Sequence, residues 1–238
     1  MSAQKTRDPV NQGLLEIADT QGIESLGLMT NQVWQEDPKR LVFTLSRYKF
    51  VAKMLSGQRR VAEIGCGDGF GARIVKQEVE TLLITDYDPL FIADFEARTH
   101  PHWPISARVH DILAGPLNER CDAVYSLDVL EHIEPANEVR FLRHVAGSLG
   151  PFGIAIIGMP SLESQGHASP ASKAGHINCQ SGHTLRATLL RHFHRVFMFS
   201  MNDEVVHTGF MPMAHYLIGL CVGPKPLEPA LDAPTGKS

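Results

Sequence analysis

The chain has 238 residues, with 22 Lys and Arg against 26 Asp and Glu and a net charge of −4. That length suits one domain, a composition of 43% hydrophobic and 20% charged residues excludes global disorder, and the slight acidity gives no bulk attraction for nucleic acid or anionic membranes. Four widely separated cysteines without a C-x-x-C pair exclude a disulfide framework and a zinc ribbon, and no apolar run approaches the ~20 residues that span a bilayer.

Residues 1–37 begin with a polar stretch, not a signal peptide, and show only a weak helical pattern around Leu14, Leu15, Ile17 and Ala18. They read as a partly ordered lead-in. From Pro38 the apolar spacing through Leu41, Leu45, Tyr48, Val51 and Leu55 predicts a helix opened by proline and closed by Gly57. Strand-like and helical runs then alternate: Arg60–Ile64 strand, Gly69–Lys76 helix, Thr81–Thr85 strand, Pro89–Ala97 helix, Ser106–Val109 strand, Asp122–Ser126 strand, Glu134–Leu149 helix and Gly153–Gly158 strand. Such alternation implies right-handed crossovers and a parallel sheet. After a helix over Thr184–His192, the segments Arg195–Phe199 and Tyr216–Cys221 have no helix between them and read as an antiparallel hairpin at the sheet's edge. The turn between them, with Asn202, Asp203, Glu204 and His207, reads as exposed.

The fold class is therefore α/β, with seven mostly parallel strands and helices on both faces. The domain is bounded at 38–222, and the proline-bearing stretch 223–238 reads as a disordered tail. Residues 160–182 are polar and rich in Gly, Ser and His where the α/β pattern needs only a short connection. They read as an insertion on the substrate side.

Glycines 65, 67 and 69 follow the first strand, where they let the backbone turn sharply and admit a ligand close to the main chain. The dinucleotide fingerprint G-x-G-x-x-G would need glycine at position 70, where Phe70 stands. The carboxylate of Glu63, just before the turn, would repel phosphate yet suits an ammonium group, which points to a cofactor bearing an amino acid.

In these residues the sequence resembles the class I S-adenosylmethionine-dependent methyltransferases, whose first motif reads acidic-x-G-x-G-x-G at the end of the first strand. Glu63 to Gly69 match it throughout. The resemblance covers about Pro38 to Val222 and implies a Rossmann-like sheet, S-adenosyl-L-methionine as cofactor, and a transfer of its sulfonium methyl group. It places Glu63, Gly65, Cys66, Gly67 and Gly69 at the cofactor. It also gives Asp86, at the end of the second strand, the ribose hydroxyls, with Tyr87 beside it, and sets Asp111 and Ile112 against the adenine and Leu127 at the end of the fourth strand. Asp88, before Pro89, competes with Asp86 but equally caps a helix.

The segment Leu127 to Ile133 resembles the family's ubiquinone-pathway-like branch. Within it Asp128, Glu131 and His132 stand at i, i+3 and i+4, so on a helix all three share a face. Two carboxylates and an imidazole suit a hard or borderline divalent cation. The arrangement is similar to that of small-RNA 3′-terminal 2′-O-methyltransferases, which use acidic-x-x-Glu-His and a later histidine. His167, His176 and His183 are available, and His176 is chosen because glycine and polar residues flank it. The alternatives are a general base without metal, with His132 and His176 as the catalytic candidates, and a purely structural role in which the histidine only packs. Arg47 and Tyr48, on the helix before the glycine turn, are candidates for covering the cofactor or acceptor.

The reading that follows is a cytoplasmic enzyme that O-methylates a small polar metabolite or a sugar or glycan precursor. The polar side chains of the insertion suit hydroxyls better than a greasy substrate. An RNA 2′-O-methyltransferase is the runner-up, opposed by the net charge, and a noncatalytic cofactor-binding scaffold is the reading from another class. Nucleic acid and membrane are not expected partners, and a homodimer is compatible with the sequence.

Overall fold

The computed structural model describes residues 5–226. The lead-in is helical: α1 spans Gln12–Gln21 and α2 Leu28–Glu36, followed by α3, Pro38–Met54. β1 (Arg60–Ile64), α4 (Ala72–Lys76), β2 (Thr81–Asp86), α5 (Pro89–Glu96), β3 (Ser106–Val109) and β4 (Cys121–Leu127) follow in alternation. α6 (Glu138–Gly147) starts later than the pattern implied, because Pro135–Asn137 form a 3-10 turn first. β5 (Leu149–Pro160), α7 (Pro170–Gly175), α8 (Gly182–His192), β6 (Phe193–Asn202), β7 (Val205–His207) and β8 (Tyr216–Pro224) complete the described chain. No helix in it is long and apolar enough to cross a membrane.

The sheet has eight strands rather than seven, in the order β3-β2-β1-β4-β5-β8-β6-β7. The first five are parallel. The last three are antiparallel, and β8 inserts between β5 and β6. The extra strand, β7, lies in the segment read as an exposed turn. Asp203 adopts a left-handed φ of 49°, which aspartate tolerates, and so reverses the chain to pair Met201 with Val206. Part of the expected tail is also strand, since Gly223 and Pro224 close β8. Residues 227–238 lie outside the described chain.

Burial on both faces explains the near-continuous apolar runs of the central strands. On β4, Ala123, Tyr125 and Leu127 enter the core layer under α3, α4 and α5, whereas Val124 enters the layer under α6 and α8. α6 presents Phe141, Leu142, Val145 and Ala146 to that second layer. Removing the wholly buried Phe141 ring should cost about 3–5 kcal/mol. The chain runs from β1 outward to β2 and β3, then crosses to β4 on the other side of β1. This reversal opens a crevice beyond the carboxyl ends of β1 and β4, where ligands of open α/β sheets bind.

Candidate active site

A cavity of about 570 Å³ occupies that crevice, a size suited to a small-molecule ligand. Its floor is the glycine turn after β1. Gly67 has a φ of 52°, and a side chain there would run into the Met29 sulfur 2.6 Å away. Gly65, at φ 75°, is crowded in the same way by Val129. Only glycine combines the positive φ with so close an approach.

Two carboxylates hold this turn. Asp86 accepts the Gly67 N–H at 2.9 Å and the Asp88 N–H at 3.0 Å. Asp68, 5% exposed, accepts the Thr30 N–H at 2.7 Å, the Thr30 hydroxyl at 3.2 Å and the Phe70 N–H at 3.1 Å, which ties α2 across the turn. Asp88 itself caps α5 through the Leu90 N–H at 2.8 Å, the role its place before Pro89 anticipates.

Gly65, Cys66, Gly67 and Leu127 line the cavity. Gly69 supports the turn from below, against Ile84 and Phe95. Asp86, the exposed Tyr87 and Asp111 stand at the ends of β2 and β3, along the same edge of the sheet but outside the cavity. The Asp111 carboxylate accepts the Leu113 N–H, and Ile112 packs into the core.

Glu63 is placed differently from its expected role at an ammonium group. It is wholly buried and accepts the hydroxyls of Tyr48 at 2.7 Å and Tyr125 at 2.8 Å, away from the cavity lining. The reason lies in the register, because Tyr125 stands directly across from Glu63 on β4, while α3 lays Tyr48 over both. Burial pushes the Glu63 carboxyl up to about 8, against the pull of the two hydroxyls.

At the other end of the cavity Leu130–His132 form a 3-10 turn, not an α-helix, so the expected grouping is incomplete. Asp128 turns away to Arg47, whose Nη1 lies 2.6 and 2.8 Å from its two oxygens. One ligating atom each of Glu131, His132 and His176 lie within 4.8 Å of one another. His167 also lines the cavity, while His183 sits on α8 outside it.

The Glu131 carboxylate is wholly buried, and neither oxygen has a hydrogen-bond partner. Burial, together with the neighbouring Asp128 charge, holds its carboxyl well above the usual carboxylate range. His132 Nδ1 is 2.8 Å from the Gly175 carbonyl, and its Nε2 is 4.0 Å from Glu131. His176 Nδ1 is 2.9 Å from the Gln165 side-chain oxygen, and burial lowers its imidazole, helped by His132 and Arg40.

The insertion supplies this end of the site. Its backbone is fastened to the 3-10 turn where Ile177 and Asn178 N–H groups donate to the Glu131 carbonyl at 2.8 and 3.0 Å. Glu138 on α6 takes Asn178, Gln180 and Arg191 from the far side. Sequence reasoning found His176 but not Gln165, Glu138 or the Asp68–Thr30 tie. Those are pairings between polar residues distant in the chain, which follow no period along it.

A family model described as "Methyltransferase domain" matches residues 62–157. A "Probable S-adenosylmethionine-dependent methyltransferase" of Mycolicibacterium smegmatis is 28% identical over 115 residues, which is 48% of this chain and 42% of the relative. A Mycobacterium tuberculosis protein of the same description is 28% identical over 104 residues, 43% of this chain and 36% of the relative. The chain thus spans less than half the length of these curated relatives. Among solved structures, the N-methyltransferase NodS of Bradyrhizobium japonicum with S-adenosyl-L-homocysteine superposes with a TM-score of 0.60 at 18% identity, covering 81% of this chain and 91% of that one. The methyltransferase domain of bacterial CtHen1-C superposes at 0.63 and 14% identity, covering 76% and 99%. Both likenesses are of fold.

Proposed function

From the premise that the chain carries a class I S-adenosylmethionine-dependent methyltransferase domain, we propose that it methylates a hydroxyl oxygen of a small polar metabolite or of a sugar or glycan precursor. In this reading a divalent ion held by Glu131, His132 and His176 assists the transfer. The observation that carries it is the buried Glu131 carboxylate, unpartnered at both oxygens, beside two imidazoles whose Nδ1 atoms face carbonyl oxygens. A buried carboxylate without a partner is costly, and a cation is the partner this donor set fits. Asp128, expected among the ligands, is left out because it is spent on Arg47.

The cofactor's site fits on the same grounds. Gly65, Cys66 and Gly67 line the cavity, with Asp86 bracing the turn from behind, so a ligand there can lie against the main chain. In this reading the ligand runs from Leu127 past the glycine turn toward Asp86, Tyr87 and Asp111. Bound there, S-adenosyl-L-methionine supplies a methyl group already made electrophilic by its sulfonium.

The chain's own task is then placement. Arg40, His167, Ser169 and Ser172 line the acceptor end and offer hydrogen bonds to a polar molecule. The divalent ion would lower the pKa of an acceptor hydroxyl. A second reading is favoured by His132, whose side chain is 49% exposed and whose Nδ1 faces a carbonyl, leaving Nε2 to take the hydroxyl proton without metal.

Transfer of a tritiated methyl group into a metabolite extract tests the activity, and the labelled product identifies the acceptor. Chelation that abolishes transfer, with recovery on adding Mn²⁺, supports the metal reading. Transfer that resists chelation but falls roughly 10²–10⁴-fold in His132→Ala supports the histidine base. No labelled product overturns the proposed activity.

A further inference from the structure

Gln165 lies in the 3-10 segment Glu163–His167 of the insertion, and its amide hydrogen-bonds to Ser161, Ser164 and His176, of which the Ser161 and His176 bonds together fix its orientation. Nε2 donates to the Ser161 carbonyl at 3.1 Å. A carbonyl only accepts, so the amide nitrogen must face Ser161 and the amide oxygen must face His176. Ser161 is an immovable reference. It is wholly buried at the end of β5, its hydroxyl donates to the Ala214 carbonyl and its N–H to the His215 carbonyl.

The orientation of the amide decides the state of the imidazole. At 2.9 Å from an oxygen that cannot donate, His176 Nδ1 must carry the proton. In the neutral ring the lone pair then sits on Nε2 alone. His132 obeys the same logic through the Gly175 carbonyl at 2.8 Å. Backbone supplies that acceptor, whereas His176 depends on one side chain.

We infer that Gln165 is the positioning residue of the Glu131–His132–His176 site, holding His176 in the form that presents Nε2 as a ligand or acceptor. The inference rests on the reading of those three residues as one site. It assigns the insertion a second duty: besides contributing His176, it fixes which nitrogen of that ring is available. Partners of this kind raise the basicity of the imidazole and fix its plane.

Two substitutions separate positioning from loop anchoring. Gln165→Glu keeps an oxygen for His176 and loses the donor to Ser161, whereas Gln165→Leu loses both. Long-range ¹H–¹⁵N NMR on the metal-free protein reads which imidazole nitrogen is protonated, and Co²⁺ titration followed by absorbance reads the site's affinity. Binding of S-adenosyl-L-homocysteine serves as the control for folding.

The expected result is His176 protonated on Nδ1 in the wild type and in Gln165→Glu. In Gln165→Leu the proton moves to Nε2 and Co²⁺ affinity falls roughly 10–100-fold. Gln165→Leu with an unchanged tautomer overturns the inference, and so does Gln165→Glu behaving like Gln165→Leu. A wild type that binds no Co²⁺ defeats the metal reading of the function, while the NMR result still decides the role of Gln165.

Discussion

Arg47 on α3 and Asp128 at the end of β4, 81 residues apart in the chain, meet with Nη1 2.6 and 2.8 Å from the two carboxylate oxygens. The guanidinium lies 3.8 Å from the centroid of the Tyr216 ring. Asp128 holds a left-handed φ of 57°, so the pair keeps the end of β4 in a conformation few residues take. Helix α3, β4 and β8 thus converge on one ion pair at the cavity wall.

Conformation and charge can be separated at Asp128. Asparagine tolerates the left-handed region and retains one oxygen for Arg47, so Asp128→Asn should lose about 1 kcal/mol in urea denaturation. Asp128→Ala adds backbone strain and leaves Arg47 without its partner, for a loss of about 2–3 kcal/mol. These values are discounted for solvent, because the Asp128 side chain is 35% exposed. Equal losses in the two variants would mean that the pair stores no strain.

Asp86 braces the glycine turn, so its removal should reach the cofactor by two routes. Asp86→Ala should weaken S-adenosyl-L-homocysteine binding more than tenfold by calorimetry, equivalent to about 1.5–3 kcal/mol. Asp86→Asn, which keeps one accepting oxygen for Gly67 N–H, should fall between the variant and the wild type. Unchanged affinity in a folded Asp86→Ala protein would remove Asp86 from the site.

Glu63 makes a prediction about pH. Its folded value is raised from 4.5 to about 8, so the folded state binds the extra proton between those values. Its contribution to stability is complete below about 4.5 and is lost as pH rises through about 8, with a slope of at most about 1.4 kcal/mol per pH unit. Glu63→Gln should flatten that slope, which paired denaturation curves at pH 6 and pH 9 would show. A slope identical to wild type would mean that Glu63 stays ionised between its two tyrosines.

Asp68 ties α2 to the glycine turn through both the N–H and the hydroxyl of Thr30. Asp68→Ala should therefore speed amide exchange across 28–36 by roughly fivefold, the equivalent of the ~1 kcal/mol lost with a helix cap. Exchange confined to α1 would show that α2 is held by other contacts.

How much of this was legible follows from the range of each interaction. The parallel strands and the glycine turn were readable because burial on both faces and the need for positive φ act within a few residues. Asp88 was readable as a cap for the same local reason. Glu63 was read as a ligand group because nothing near it in sequence announces Tyr48 and Tyr125, which reach it only through α3 packing and cross-strand register. Asp128 was grouped with Glu131 and His132 on the assumption of an α-helix. A 3-10 turn and the distant Arg47 redirect it.

The position of β8 has a consequence for biosynthesis. The strand follows β5 and β6 in sequence yet lies between them, and it carries the Tyr216 ring under Arg47. A ribosome working at ~5–20 residues per second therefore releases β5 several seconds before β8. For that interval the edge of β5 faces solvent with Ile156, Ile157 and Met159, which are wholly buried once the sheet closes. Throughout it the nascent chain carries an unpaired strand edge, and the cavity wall is finished only after β8, Tyr216–Pro224, has been made.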